Sequence, residues 1–300
     1  MLNGSKVPMK KEDLMLVAGA TGDVGGAIAR TLLQKGNCVR VLVRSPSNYQ
    51  PLIDAGAQAI FGDLKNRQSL GPACKDVKVL ITTATSAKRG GEDNPKTVDL
   101  EGNRNLIDAA KAAGVEQFIF VSIAGVPPSS SIPLLQAKIA TEEYLRKSDI
   151  PYTIIAPDAF MDFWVALVVG MPAIAGKPVT LIGTGTYKHS FIFSPDIVKF
   201  IVASINNPKA INQKLTLGGP EALSYREAVA VFERVLARQI PVQTVALGQP
   251  VPGLPDPVAQ FLGASDTYDS IIDTTKTARD FGVTLTFLEE FAKVFIAGAK

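Results

Sequence analysis

Leu14-Met15-Leu16-Val17-Ala18-Gly19-Ala20-Thr21-Gly22-Asp23-Val24-Gly25-Gly26-Ala27-Ile28-Ala29-Arg30-Thr31-Leu32-Leu33 carries the reading of the fold. Five apolar residues, a turn with glycines at 19, 22 and 25, and a helical run follow one another without a break. In a strand–turn–helix of this kind the first glycine permits the tight turn and the second lets backbone approach an anion. The third lets the helix pack close to the strand. The open N–H groups of the helix and the positive end of its dipole then face a phosphate. The expectation is a dinucleotide cradle formed by Gly19, Thr21, Gly22, Asp23, Val24 and Gly25.

Outward from this stretch, strand-like apolar runs recur at 39–43, 57–61, 77–82, 117–122 and 152–156. Between them lie amphipathic segments at 24–34, 96–113 and 135–147. Short apolar strands separated by helices predict a parallel sheet covered on both faces. Right-handed crossovers make it an α/β, doubly wound Rossmann sheet with ligands at the carboxyl ends of its strands. After Pro157 glycine and proline become frequent, and a proline-rich stretch runs from Pro241 to Pro257. Residues 14–157 are therefore expected to form the dinucleotide-binding core. Residues 158–300 are expected to form mainly a smaller α+β substrate lobe, with a strand near 215–217 returning to the core sheet. Ser224-Tyr225-Arg226-Glu227 has the spacing of a helix capping box.

Composition narrows the partners. The 300 residues are 46% hydrophobic, enough to fill a sizeable core. A net charge of +3 gives no ground for nucleic acid or an anionic membrane as partner. Cys38 and Cys74 lack metal-ligand spacing and point to a reducing compartment. His189 is the single histidine, which excludes multi-histidine metal sites. Met1 to Asp13 are polar, without the apolar centre of a signal peptide. The longest apolar run, 163–176, is interrupted by Gly170 and Pro172 and is too short to span a bilayer. The expectation is a cytoplasmic protein with no membrane span and no metal, its homo-oligomeric state left open.

The second strand selects the dinucleotide. An acid at its end would hold an adenosine ribose, yet no Asp or Glu occurs between Asp23 and Asp54, and Arg44 stands at that place. A guanidinium there can grip a 2′-phosphate in a fork of donors and stack on adenine, which favours NADP(H) over NAD(H). Asp63, followed by Leu64, ends the third strand and either takes the adenine amino group or caps the helix expected after it. Thr83 and Ala84 end the fourth strand, where small residues let a cofactor lie across the sheet edge.

Taken with these motifs, the runs Val98–Ala110, Phe118–Ser122, Ile150–Ile155, Phe193–Val198 and Leu217–Glu221 resemble the atypical short-chain dehydrogenases/reductases. The resemblance is closest to the NmrA-like NAD(P)-binding family, which includes quinone reductases, triphenylmethane dye reductases and isoflavone-reductase-like enzymes. It extends from about residue 14 to Phe281-Gly282-Val283. It implies Lys138 as ligand of the cofactor ribose, proton donor, or both, Ser122 as the second catalytic candidate though without a tyrosine partner for the usual proton relay, and Pro157 as a cofactor-binding residue. Ordinary members of the wider superfamily place a tyrosine four residues before that lysine; here Leu134 stands there. Many family members also carry an arginine before the proline that ends the sixth strand, where this chain has Ala156.

Without the tyrosine, reduction of a simple ketone lacks the positioned acid that is worth roughly 10²–10⁴-fold. Quinones, enones, iminium ions and cationic dyes make a smaller demand, because their reduced forms can take a proton from water. Phe160, Phe163 and Trp164 are expected to line an apolar or aromatic small-molecule substrate, with Gly170 and Pro172 letting the segment act as a flap. His189 lies in the alternating run Tyr187–Phe193 and is read as a strand histidine without an acid partner. The reading is an NADPH-dependent oxidoreductase. The alternative is a non-catalytic NADP(H)-sensing regulator or scaffold.

Overall fold

The computed structural model describes residues 13–125, 130–249, 251 and 254–299. The polar residues 1–12 and part of the proline-rich stretch (Pro250, Pro252 and Gly253) lie outside them. The chain divides into two compact units. The first comprises residues up to Ala156 with Val198–Leu215, and the second comprises Pro157–Ile197 with the residues from Thr216 onward.

The apolar runs of the first unit form β1 (Leu14–Ala18), β2 (Cys38–Val43), β3 (Gln58–Phe61), β4 (Val77–Thr82), β5 (Gln117–Val121) and β6 (Tyr152–Pro157). With β8 (Gln213–Leu217) they make a seven-stranded sheet in the order β3-β2-β1-β4-β5-β6-β8. The pairs from β3 through to β6 are parallel. Strand order turns outward in both directions from β1 and β4, so the crevice beyond Ala18 and Thr82 is the topological switch point. β5 is buried along its whole length, as expected of a strand covered on both faces.

Helix α1 (Asp23–Gln34) buries Gly25, Gly26, Ile28, Ala29 and Leu32, the apolar stripe of its period. The helices that follow in this unit are α2 (Gln50–Asp54), α3 (Leu70–Cys74), α4 (Asn103–Ala112) and α5 (Pro133–Arg146). The segment expected as one helix over 96–113 is instead wound in two ways. Pro95–Gly102 is a π-helix, and α4 continues from it. Where the two windings meet, Asn103 is fully buried and its side-chain amide donates to Val98 O (3.1 Å) and Asp99 O (3.2 Å), supplying those carbonyls with a side-chain donor.

The second unit has its own core, built on Met161, Val165, Val169, Phe191, Phe232, Leu288 and Phe291. A π-helix over Met161–Gly170 leads into α6 (Met171–Ile174) and β7 (Val179–Ile182), and β7 pairs in parallel with β9 (Val242–Val245). α7 (Ser194–Ser204) precedes β8, and α8 (Tyr225–Leu236), α9 (Asp256–Ser265), α10 (Thr275–Phe281) and α11 (Leu288–Gly298) complete the chain. The Ser224–Glu227 capping box closes at both ends at the start of α8. One expectation is corrected here. Tyr187–Phe193 is not a strand, because His189 and Ile192 make only isolated bridges, to Leu223, Ser270 and Phe160. Gly170 is a packing position, where a Cβ would stand 2.6 Å from the Phe295 ring.

Candidate nucleotide site and its buried charge pairs

At the switch point the three glycines divide the work. Gly19 has φ +82°, and a Cβ there would sit 2.7 Å from Thr83 Oγ1 and 2.8 Å from Ala84 N. A Cβ on Gly25 would collide with the carbonyl oxygen of Gly19. These two positions therefore fix the turn against the end of β4 and the helix against the turn. Gly22 is different: its nearest would-be contact is an ordinary 3.4 Å, and it is exposed together with Thr21 and Asp23. As N-cap of α1 it provides no side-chain acceptor, so the first-turn N–H groups of the helix are left for an anion. The cradle fits a pyrophosphate. Asp23 points elsewhere, to Lys88 Nζ at 2.7 Å, and Val24 is half-buried in the first turn.

Arg44 follows β2 and is held by carboxylates. Its Nη1 lies 2.7 Å from Asp93 Oδ2 and 3.6 Å from Asp63 Oδ2. Asp93 also receives Lys65 (2.8 Å) and Arg89 (3.2 Å). Its carboxyl is held below the usual range, first by the hydrogen bond from Lys65 and then by Arg44, against an opposing effect of burial. Asp63 Oδ1 accepts Lys65 N at 2.9 Å, and the cap of the following 3₁₀ turn is Asn66, which accepts Gln68 N. Asp63 is therefore not the helix cap that the sequence left as its alternative role. Leu64 is buried, while Thr83 and Ala84 are half-buried, with Thr83 N donating to Ala18 O at 3.0 Å.

Beyond β5, Lys138 of α5 is 7% exposed. Its Nζ donates to Val121 O (3.1 Å), lies 3.6 Å from Asp99 Oδ1 and sits 4.9 Å from the centre of the Phe120 ring. Burial pushes its pKa down, and Asp99 pulls in the opposite direction. Asp99 is fully buried and its Oδ2 accepts both Ser86 N (2.9 Å) and Ser86 Oγ (2.6 Å). Ser122 Oγ donates to Glu142, a buried carboxylate that also takes Lys214 at 2.9 Å and Arg146 at 2.8 Å. The Ser122 proton is thus committed, leaving that hydroxyl only lone pairs to offer a ligand. Asp99 and Glu142 escaped the sequence reading. Glu142 carried one signal, since it lies one turn after Lys138 on the same helix face.

The second unit holds the remaining candidates. Pro157 is buried at the end of β6. Phe160, Phe163 and Trp164 are all half-buried; Phe163 meets Trp164 edge-on at 4.8 Å, and Trp164 stacks on Phe261 at 4.4 Å. His189 does have an acid neighbour, Asp158, directly after Pro157. Burial raises the Asp158 carboxyl, and nearby His189 opposes the rise. His189 Nε2 lies 2.9 Å from Ser265 O, and Asp158 Oδ2 accepts Ser190 N at 2.9 Å. Both residues are buried and tie loops together. Among the described residues no group of three or more His, Cys, Asp or Glu is placed to hold a metal. Within the same residues no helix is long and apolar enough to cross a membrane.

Comparison with known proteins adds the following. A profile described as the NmrA-like family matches residues 11–279. Photosystem II assembly factor Ycf39 of Cyanophora paradoxa is 33% identical over 78% of this chain and 72% of its own length. An NAD(P)H azoreductase of Xenophilus azovorans is 27% identical over 95% of this chain and 98% of its own. The NADPH-dependent quinone oxidoreductase QOR2 of Escherichia coli, solved with NADPH, superposes with a TM-score of 0.77 at 24% identity, covering 93% of this chain and 99% of that one. That superposition bears on the fold.

Proposed function

The chain belongs to the NmrA-like family, and from that premise we propose that it is an NADP(H)-dependent reductase of conjugated, electron-poor small molecules. The observation that carries this is the condition of Lys138. It is buried and paired with Asp99, with Leu134 where a proton-donating tyrosine would stand. The Gly19–Gly25 turn would hold the pyrophosphate and Arg44 the 2′-phosphate, with Asp63, Leu64, Thr83, Ala84 and Pro157 around the adenosine and nicotinamide ends. When bound, a reduced nicotinamide supplies the hydride.

Lys138 keeps N–H capacity beyond its bond to Val121 O, enough to fix a ribose hydroxyl. Ser122 directs its hydroxyl at Glu142, so in this arrangement it offers a substrate carbonyl no hydrogen bond. An acceptor suited to this site therefore asks for no positioned acid: a quinone or enone gives a stabilised anion that takes its proton from water, and an iminium ion or cationic dye becomes neutral on receiving the hydride. Phe160, Phe163 and Trp164 offer the aromatic surface that a flat substrate needs. The relatives' names support the class: an azoreductase and a quinone oxidoreductase both act on conjugated acceptors.

A second reading has its own support, since Ycf39 is named as an assembly factor. In that reading the nucleotide is bound without turnover and the chain assists assembly of a partner. Loss of the reduced-nicotinamide absorbance separates the two, measured across quinones, enones, iminium ions, dyes and simple ketones. Turnover of the conjugated acceptors but not of ketones is expected. Tight NADPH binding with no turnover on any acceptor would sink the reductase reading in favour of the second.

A further inference from the structure

Three cations of the first unit converge on one carboxylate. Arg44, Lys65 and Arg89 lie 2.7, 2.8 and 3.2 Å from Asp93. Asp93 is the best shielded of the four, its side chain 14% exposed against 28–38% for the cations. Asp63 and Glu92 stand further off, 3.6 Å from Arg44 and 3.8 Å from Lys65, and the Glu92 side chain is almost wholly in solvent. Two arginines and a lysine focused on a single point describe a receptor for a multiply charged oxyanion, and a carboxylate fills it only in part. It brings one charge and two oxygens where a phosphate monoester brings nearly two charges and three oxygens.

We propose that Asp93 is an internal stand-in for the 2′-phosphate of the dinucleotide. It closes the Arg44–Lys65–Arg89 pocket until that phosphate displaces it, and so sets the discrimination between phosphorylated and unphosphorylated cofactor. The proposal rests on the NADP(H) reading above and adds to it a residue outside the glycine turn and outside β2. A ribose hydroxyl carries no charge with which to displace a carboxylate from three cations, so an unphosphorylated nucleotide leaves the pocket closed. The chain leading to Asp93 allows the exchange. Gly90 and Gly91 have nothing within 4 Å of a would-be Cβ, so the turn before Asp93 is not packed in place there, and the one backbone bond across it, from Asp93 N to Gly90 O, is a long 3.2 Å. Asn94, next in sequence, stays fixed as the cap of the π-helix, accepting Lys96 N and Thr97 N.

The opposite effect is the natural competitor: Asp93 pre-orients Arg44 and helps phosphate binding. Calorimetric titration of wild type, Asp93→Asn, Asp93→Ala and Arg44→Ala decides between them, using NADPH, NADH, adenosine 2′,5′-bisphosphate and AMP as probes. Thermal melts first establish that each variant is folded. Both Asp93 variants are expected to bind NADPH and the bisphosphate about 3- to 10-fold more tightly, the range that one to a few partly exposed ion pairs supply. NADH and AMP should be unchanged, and Arg44→Ala should weaken NADPH. Unchanged or weaker NADPH binding by both Asp93 variants overturns the proposal, as does equal tightening of NADH. Failure of wild type and variants alike to bind any of the four probes removes the NADP(H) reading itself. That result is distinct from normal NADPH binding that is indifferent to residue 93.

Discussion

Lys138 and Asp99 are buried together at 3.6 Å, so removing either one strands the other in a poorly solvated place. Lys138→Met and Asp99→Leu are each expected to lower stability by about 3–5 kcal/mol, with the double variant losing markedly less than their sum, as urea denaturation would read. Equal and additive small losses would mean that the pair is solvated after all. Asp93 gives a pH-dependent counterpart. Its carboxyl is held below the ordinary range by Lys65 and Arg44, so its stabilisation is complete above the ordinary carboxylate pKa. It is lost as pH falls through the lower folded value. Asp93→Asn should therefore unfold at slightly lower denaturant than wild type at neutral pH, by less than about 1 kcal/mol, and the gap should close in acid. Arg44 and Lys138 could be picked out in the sequence because an absent acid and an absent tyrosine drew attention to their places. Their partners Asp93 and Asp99 could not, because each is brought near from the chain beyond β4, Asp93 just before the π-helix and Asp99 within it.

Elements follow local chemistry more closely. The strands 14–18 and 77–82 have the expected bounds, and the other parallel strands differ by a residue at one end; all but the exposed edge strand β3 are largely buried, and strands buried on both faces are written as continuous apolar runs. The glycine turn is equally direct, and its two kinds of glycine can be told apart by substitution. Gly25→Ala should cost more than about 2 kcal/mol and disrupt nucleotide binding, since its Cβ would overlap Gly19 O. Gly22→Ala should leave the thermal midpoint nearly unchanged, having only an ordinary 3.4 Å contact to make. A large loss at Gly22 would contradict this division. Ser224→Ala should cost about 1 kcal/mol through loss of the α8 cap. What the pattern missed was of two kinds. The π-winding of 95–102, with the Asn103 amide on the Val98 and Asp99 carbonyls, is a local variation that helical periodicity does not register, and single bridges at His189 and Ile192 replace a strand that alternation had suggested.

For the molecule as a whole, the chain's order of strands, β3-β2-β1-β4-β5-β6-β8, creates the crevice at Ala18 and Thr82. A ligand that binds the folded state alone must stabilise it by mass action, about 2.7 kcal/mol at a hundredfold excess over Kd. NADPH is expected to raise the melting temperature accordingly and to slow amide exchange around 19–26. NADH at the same concentration should do less, and an equal shift by NADH would count against the phosphate pocket. The sequence by itself determined the α/β class, the glycine cradle and the missing tyrosine, because each is a matter of residue type at a local spacing. Only the tertiary structure decided which carboxylates face Arg44, Lys138, Ser122 and His189. Electrostatic partnership acts through space within a few ångströms, and the distance between Asp93 and Arg44 exists only once β2 and the chain beyond β4 are folded beside each other.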